Sequence, residues 1–202
     1  VWYKNKKWSG KDQFSPNLLD EIYNLEDSLV VAQFLNSFIR HADVVKIANI
    51  AQVVNVIAPI LTRGDQLLKQ SIYYVFKLFS EMKSGIALDL ANDGPEYKTK
   101  TYGTVQYVDS SAILEESEKK LVVFLVNRST EKSIPVSIQT SGLPRLKFEE
   151  GNIITHSDLK SSNCFENPNN VIPKSYDEIS LSDDEIRFDM PRASFLRIIL
   201  NF

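Results

Sequence analysis

Cysteine is almost absent from this chain. Cys164 is the single one in 202 residues, so no intrachain disulfide can form and the fold must rest on buried apolar surface. Cys164 sits among Ser, Asn and Pro, the setting of a loop residue and not of a nucleophile. Histidine is scarce as well. His41 and His156 are far apart and neither has a Cys or His at ligand spacing, which argues against a zinc site. No Gly-rich phosphate loop and no Gly-x-Ser-x-Gly frame occurs. Nothing in these patterns asks for a cofactor. No apolar run reaches the length of a membrane span. A positive excess is missing too: the net charge is −3, which argues against a nucleic-acid partner, because phosphate binding needs a basic surface. The short basic run Lys4, Lys6, Lys7 and Lys11 reads as a solvated loop.

What is present is ordinary in amount and informative in order. Apolar residues make up 43% and charged residues 24%, as in a globular domain. Before residue 85 the pattern is helical. Leu25, Leu29, Ala32, Leu35 and Ile39 recur at three- and four-residue spacing. Asn24 suits the N-cap, and Glu26 and Asp27 suit the positive end of the helix dipole. A second helix is predicted over 66–82, entered at Gly64-Asp65 and left at Ser84-Gly85. Between the two, Ile47 to Ile60 is so densely apolar that it reads as a strand buried on both faces, as in a parallel sheet. Helix, buried strand and helix give an α/β unit. Alone, such a unit leaves a bare sheet edge and an apolar face, which favours self-association into a homo-oligomer.

After Gly85 the rhythm becomes β. Strands are predicted at 86–90, 102–108, 121–127, 134–139, 185–189 and 194–200. Turn-formers such as Asn92-Asp93-Gly94-Pro95 and Ser141-Gly142 separate them. Several short strands so spaced suggest a β-sandwich. The polar stretch 158–184 reads as a long surface loop.

The segments Asn24-Leu25-Glu26-Asp27-Ser28-Leu29, Arg40-His41-Ala42-Asp43 and Ala48-Asn49-Ile50-Ala51-Gln52-Val53-Val54-Asn55 closely resemble the family-51 glycoside hydrolases, which are α-L-arabinofuranosidases. Val1-Trp2-Tyr3 resembles the end of that family's Glu-Trp-Asn-Val-Trp-Tyr motif, and Met190-Pro191-Arg192-Ala193-Ser194-Phe195 its closing strand. The resemblance implies a (β/α)8 barrel followed by an antiparallel β-sandwich. Residues 1–84 would be the last portion of the barrel and 85–202 the sandwich. It also implies a retaining enzyme, with one Glu as nucleophile and another as acid/base. The nucleophile stands three positions before Val-Trp-Tyr, so both catalytic carboxylates would lie upstream of Val1. The chain is therefore expected to be a C-terminal fragment, inactive alone, of an enzyme acting on arabinose-containing oligosaccharides or polysaccharides.

Two residues carry substrate contacts on this resemblance. Trp2 would wall the sugar site with an aromatic face. Gln52 would hydrogen-bond arabinose hydroxyls, since an amide both donates and accepts. Asn55, in the same apolar run, reads instead as a holder of backbone groups. The acidic pairs Glu26-Asp27, Glu115-Glu116, Glu149-Glu150, Asp177-Glu178 and Asp183-Asp184 read as helix starts or solvated loops, because neighbours on a strand face opposite ways. A rival reading takes the β half as a non-catalytic carbohydrate-binding or structural module, with Tyr97, Tyr102, Tyr107, Phe165 and Tyr176 as candidate sugar platforms. Compartment is left open by a sequence that begins at Val1.

Overall fold

The computed structural model describes residues 21–82 and 84–202. Its first element follows the capping chemistry of the sequence. Helix α1 spans Leu25–Arg40. The Asn24 side chain accepts from the Asp27 N–H at 3.1 Å and the Asp27 carboxylate accepts from the Asn24 N–H at 3.0 Å. This reciprocal box satisfies two backbone donors that a helix start leaves open. Leu25, Leu29, Ala32 and Leu35 form the buried stripe.

The next segment departs from expectation. Residues 47–60 do not form a buried strand. Ile47 and Val53 are 77% and 74% exposed, and Gln52, Asn55 and Val56 have φ of 60°, 62° and 61°, a left-handed backbone that interrupts any strand. A strand buried on both faces exists only between partner strands. Among the described residues, the pairing of 47–59 is limited to the isolated bridge of Val54 beside Ile60, the residue that opens the next strand.

The second helix is also shorter than predicted. Strand β1 (Ile60–Arg63) turns at Gly64-Asp65 and pairs antiparallel with β2 (Gln66–Lys69). Gly64 takes φ +62° there, the conformation that a two-residue hairpin turn demands. Local pairing thus claims residues 66–69, and α2 spans only Ser71–Ser80. Its entry is fixed by the buried amide of Gln70. That side chain donates to the carbonyls of Ala58 (2.7 Å) and Glu21 (3.1 Å) and accepts from the Tyr23 N–H (2.9 Å).

The remainder is β. In chain order the strands are β3 (Ile86–Leu88), β4 (Glu96–Lys98), β5 (Thr104–Gln106), β6 (Val108–Glu115), β7 (Lys120–Asn127), β8 (Ile134–Gln139), β9 (Lys147–Thr155), β10 (Lys174–Ser175), β11 (Ser180–Leu181), β12 (Glu185–Met190) and β13 (Ser194–Asn201). One sheet has the order β10-β9-β13-β7-β6-β3 and a second the order β11-β12-β8. These two sheets are the sandwich. Leu121, Val123, Leu196 and Ile198 of the larger sheet meet Ile186, Phe188 and Met190 of the smaller. Small hairpins β1-β2 and β4-β5 lie outside it.

The other face of the six-stranded sheet is not free. Val122, Phe124, Val126 and Phe195 pack against Leu29, Ala32, Ile72 and Val75 of the two helices. Layers therefore run helices, large sheet, small sheet, and β7 is buried from Leu121 to Asn127 on both sides. The pattern of a doubly buried strand belongs to β7, not to residues 47–60. The helices are also less bare than the sequence suggests, since the sheet covers their inner faces. All the named strand pairs are antiparallel.

Two of the longer strands, β6 and β9, escape the sequence pattern. β6 carries Asp109, Ser110 and Ser111, and β9 carries Glu149, Glu150, Gly151 and Asn152, so neither shows clean alternation. Gly151 is required by a close approach: a Cβ there would stand 2.1 Å from the Tyr176 carbonyl oxygen. Stretch 158–184 is not merely a surface loop. It contains β10 and β11 and buries Asn163, Val171 and Tyr176.

Candidate functional site

Three polar constellations hold the helical layer, the loops and the sheet together. The first is centred on Asp109 of β6, 7% exposed. Its carboxylate accepts from Asn36 Nδ2 (2.9 Å), Arg40 Nη2 (3.1 Å) and Arg128 Nη2 (3.0 Å). Asn36 is itself buried and accepts from Ser111 Oγ at 2.8 Å. A buried carboxylate with two guanidinium partners is satisfied, not poised for chemistry. This cluster pins α1 to β6 and β7.

The second constellation surrounds Arg197 of β13, 3% exposed. Its guanidinium donates to Glu81, to Glu150 (3.1 Å) and to Asn152 Oδ1 (2.5 Å), which ties the end of α2 to the sheet. Burial pushes the Glu81 carboxyl upward, but hydrogen bonds from Lys77 and Arg197 outweigh it and leave the group below its ordinary 4.5. A carboxyl lowered by folding contributes stability above its unfolded pKa and loses it as pH falls through the folded one. The urea midpoint is accordingly expected to drop as pH falls below the ordinary carboxylate range. Glu81→Gln should flatten that part of the profile, as urea titrations at stepped pH will read out. An unchanged profile in the variant would show that Glu81 does not carry the dependence.

The third constellation is the rim of an apolar groove. The groove has a volume of about 400 Å³ and lies between α1, the start of α2 and loop 44–59, lined by Phe34, Phe38, Ile50, Ile57 and Phe76 among others. Gln52 stands on this loop, exposed, with its Oε1 3.4 Å from the Ile57 N–H. Asn55 holds backbone, as its position in the sequence suggests. Its Oδ1 accepts from the Thr62 N–H at 2.7 Å and its Nδ2 donates to Thr62 Oγ1 at 3.0 Å. Trp2, the other candidate sugar contact, lies outside the described residues.

The candidate platforms sort differently. Tyr176 is core, with its hydroxyl donating to the Asp189 carbonyl at 2.7 Å. Tyr97 and Tyr107 pack on one another at 4.8 Å. Tyr102 is 86% exposed. Phe165 lies under the Arg63 guanidinium at 4.2 Å, a pairing invisible in a sequence that separates them by about a hundred positions. Among the described residues no group of three His, Cys, Asp or Glu is arranged to hold a metal. No described helix is long and apolar enough to cross a membrane.

Comparison with known proteins gives the arrangement a family. The model of the alpha-L-arabinofuranosidase C-terminal domain matches residues 1–194. The chain belongs to this family. Among curated relatives of this arabinofuranosidase domain, the intracellular exo-alpha-(1->5)-L-arabinofuranosidase of Acetivibrio thermocellus is 33% identical over 207 residues, covering 96% of this chain and 40% of that protein. A Bacillus subtilis enzyme of the same description is 34% identical over 188 residues, covering 91% of the chain and 37% of its own length. The chain therefore spans about 40% of the length of such relatives. Among solved structures, the family 51 arabinofuranosidase of Bifidobacterium longum superposes with a TM-score of 0.88 at 28% identity, over 100% of this chain and 40% of that one. The family 51 enzyme of Xanthomonas axonopodis gives 0.84 at 29%, over 95% and 38%. The arabinofuranosidase domain thus keeps its relatives' fold across the helices and sheets alike.

Proposed function

We propose that this chain is the C-terminal part of a retaining α-L-arabinofuranosidase that removes terminal arabinofuranosyl units from plant oligosaccharides or polysaccharides. The observation that carries the reading is the family match over residues 1–194 in a chain that spans about 40% of its arabinofuranosidase relatives. Residues 1–84 then belong to the end of a (β/α)8 barrel and 85–202 to the sandwich. The exposed Ile47 and Val53 and the apolar groove support this division, since apolar surface of that kind calls for a covering layer. In the assembled enzyme loop 44–59 packs against the upstream part of the barrel, which sets Gln52 at the strand ends where barrel active sites lie, and Trp2 walls the sugar.

A retaining glycosidase needs two carboxyls about 5–5.5 Å apart, one to form the glycosyl-enzyme and one to protonate the leaving oxygen. On this reading both belong to the upstream barrel, so Gln52 and Trp2 orient the furanose and take no part in bond-making. An aryl α-L-arabinofuranoside incubated with the purified chain is expected to show no turnover above background. Hydrolysis that follows the chain through purification would overturn the assignment of the carboxylates to the upstream part.

A further inference from the structure

We propose that Arg63, Phe165 and Glu166 form a platform for the sugar next to the terminal arabinofuranosyl unit, a neutral furanosyl oligosaccharide being the ligand. The inference rests on the reading of Gln52 as a sugar contact and extends it to residues of the sandwich.

The β1-β2 hairpin is clamped on both edges. On the β1 side the loop that carries Gln52 is fixed to it, with the Asn55 N–H donating to the Ile60 carbonyl at 2.8 Å and the Asn55 side chain engaging Thr62. On the β2 side stands Asn163, whose side chain is buried. It donates to the carbonyls of Lys69 (2.9 Å) and Val171 (3.1 Å) and accepts from the Val171 N–H (2.7 Å). Asn163 thereby closes the loop 163–171 on itself and docks it against the hairpin. The tip of that loop is a tight turn. Cys164 N–H donates to the Asn167 carbonyl at 3.2 Å and Asn167 N–H donates back at 3.0 Å. Phe165 and Glu166 are presented at this tip.

Arg63 joins the two sides. Its guanidinium carbon lies 4.2 Å from the centre of the Phe165 ring, its Nη2 is 2.9 Å from Glu166 Oε1, and Nε and Nη2 also reach Gln66 Oε1. The arginine side chain is 55% exposed, so it forms the outer layer of the stack over the half-buried ring. An exposed ion pair of this kind adds little stability, yet three groups, Gln66 of the hairpin and Phe165 and Glu166 of a distant loop, hold the guanidinium plane. A planar donor array on an aromatic ring, with a carboxylate beside it, suits a furanose. The plane takes the C–H face, and the N–H groups and carboxylate oxygens take hydroxyls. Gln52 and Asn55 are three positions apart, and Asn55 holds Thr62, the neighbour of Arg63, so the loop that carries Gln52 is tied to the strand that carries the platform.

The test is a titration of the whole chain with α-1,5-linked arabinotriose, followed by saturation-transfer NMR of the ligand ring protons. Saturable binding is expected for the unaltered chain. Arg63→Ala and Phe165→Ala should each weaken it at least about fivefold, while Arg145→Ala, altered at an exposed arginine of the sandwich, should leave it unchanged. Matching thermal midpoints certify that the variants fold. Absence of saturable binding by the unaltered chain, or equal binding by all variants, overturns the platform. Neither result touches the assignment of the carboxylates to the upstream part, which the aryl glycoside assay tests separately.

Discussion

Phe124→Ala is expected to lower the stability of the chain by about 3–5 kcal/mol, which for a domain of this size moves the thermal midpoint by on the order of 10 °C. Phe124 is fully buried on the helix-facing side of β7. Its ring stacks on Phe79 at the C-terminal end of α2, at 4.1 Å and 10° between planes, and Phe79 in turn lies 5.4 Å from Phe195 of β13. Truncation removes the aromatic contact and leaves a void between helix and sheet that two strands cannot collapse into. Urea denaturation followed by far-UV circular dichroism measures the loss. A cost below about 1 kcal/mol, the level of an ordinary substitution, would mean that the helical layer does not pack on the sheet in solution.

The second large effect is expected at Asp109. Asp109→Ala should cost about 3 kcal/mol or more, because it leaves the Asn36 amide and the Arg128 guanidinium without their buried acceptor. Arg128 keeps its bonds to Gln33 Oε1 (2.6 Å) and the Gln106 carbonyl (2.8 Å), so the loss concentrates on Asn36. Asp109→Asn retains an acceptor oxygen and should lose less than the alanine variant. Equal denaturation midpoints for the alanine variant and the unaltered chain would remove Asp109 from the framework that fixes α1.

Residues differ in how openly they announce these roles. The N-cap at Asn24 and the stripe of α1 are local features, complete within about sixteen positions, and they fold as read. Strand β8, Ile134–Gln139, lies between clear turn-formers and folds as read. Residues 47–60 mislead for a physical reason: apolar density shows only that a segment seeks cover, and the cover itself comes from other parts of a fold. β6 and β9 are hidden for the opposite reason. Their inward polar positions are satisfied by Asn36, Arg40 and Arg197, partners lying 45 to 73 positions away. A local pattern cannot distinguish an inward Asp held by two arginines from a solvated one. Gln52 could be singled out only through its place in a familiar run of residues. Phe165 can be named as a candidate platform from its aromatic side chain alone, but its pairing with Arg63 leaves no local signal, since a hairpin and a distant loop meet there.

The position of β13 carries a consequence for synthesis. It is the last described strand to leave the ribosome, yet it occupies the interior of the larger sheet between β7 and β9, and its Arg197 fastens the end of α2. Until β13 emerges, helices α1 and α2 lack a complete sheet to settle on, and their apolar stripes stay uncovered while the strands between are made. A premature stop before Ser194 would leave the sheet without one of its interior strands and α2 without its arginine fastening, a product with every feature that cellular proteases and holding chaperones select.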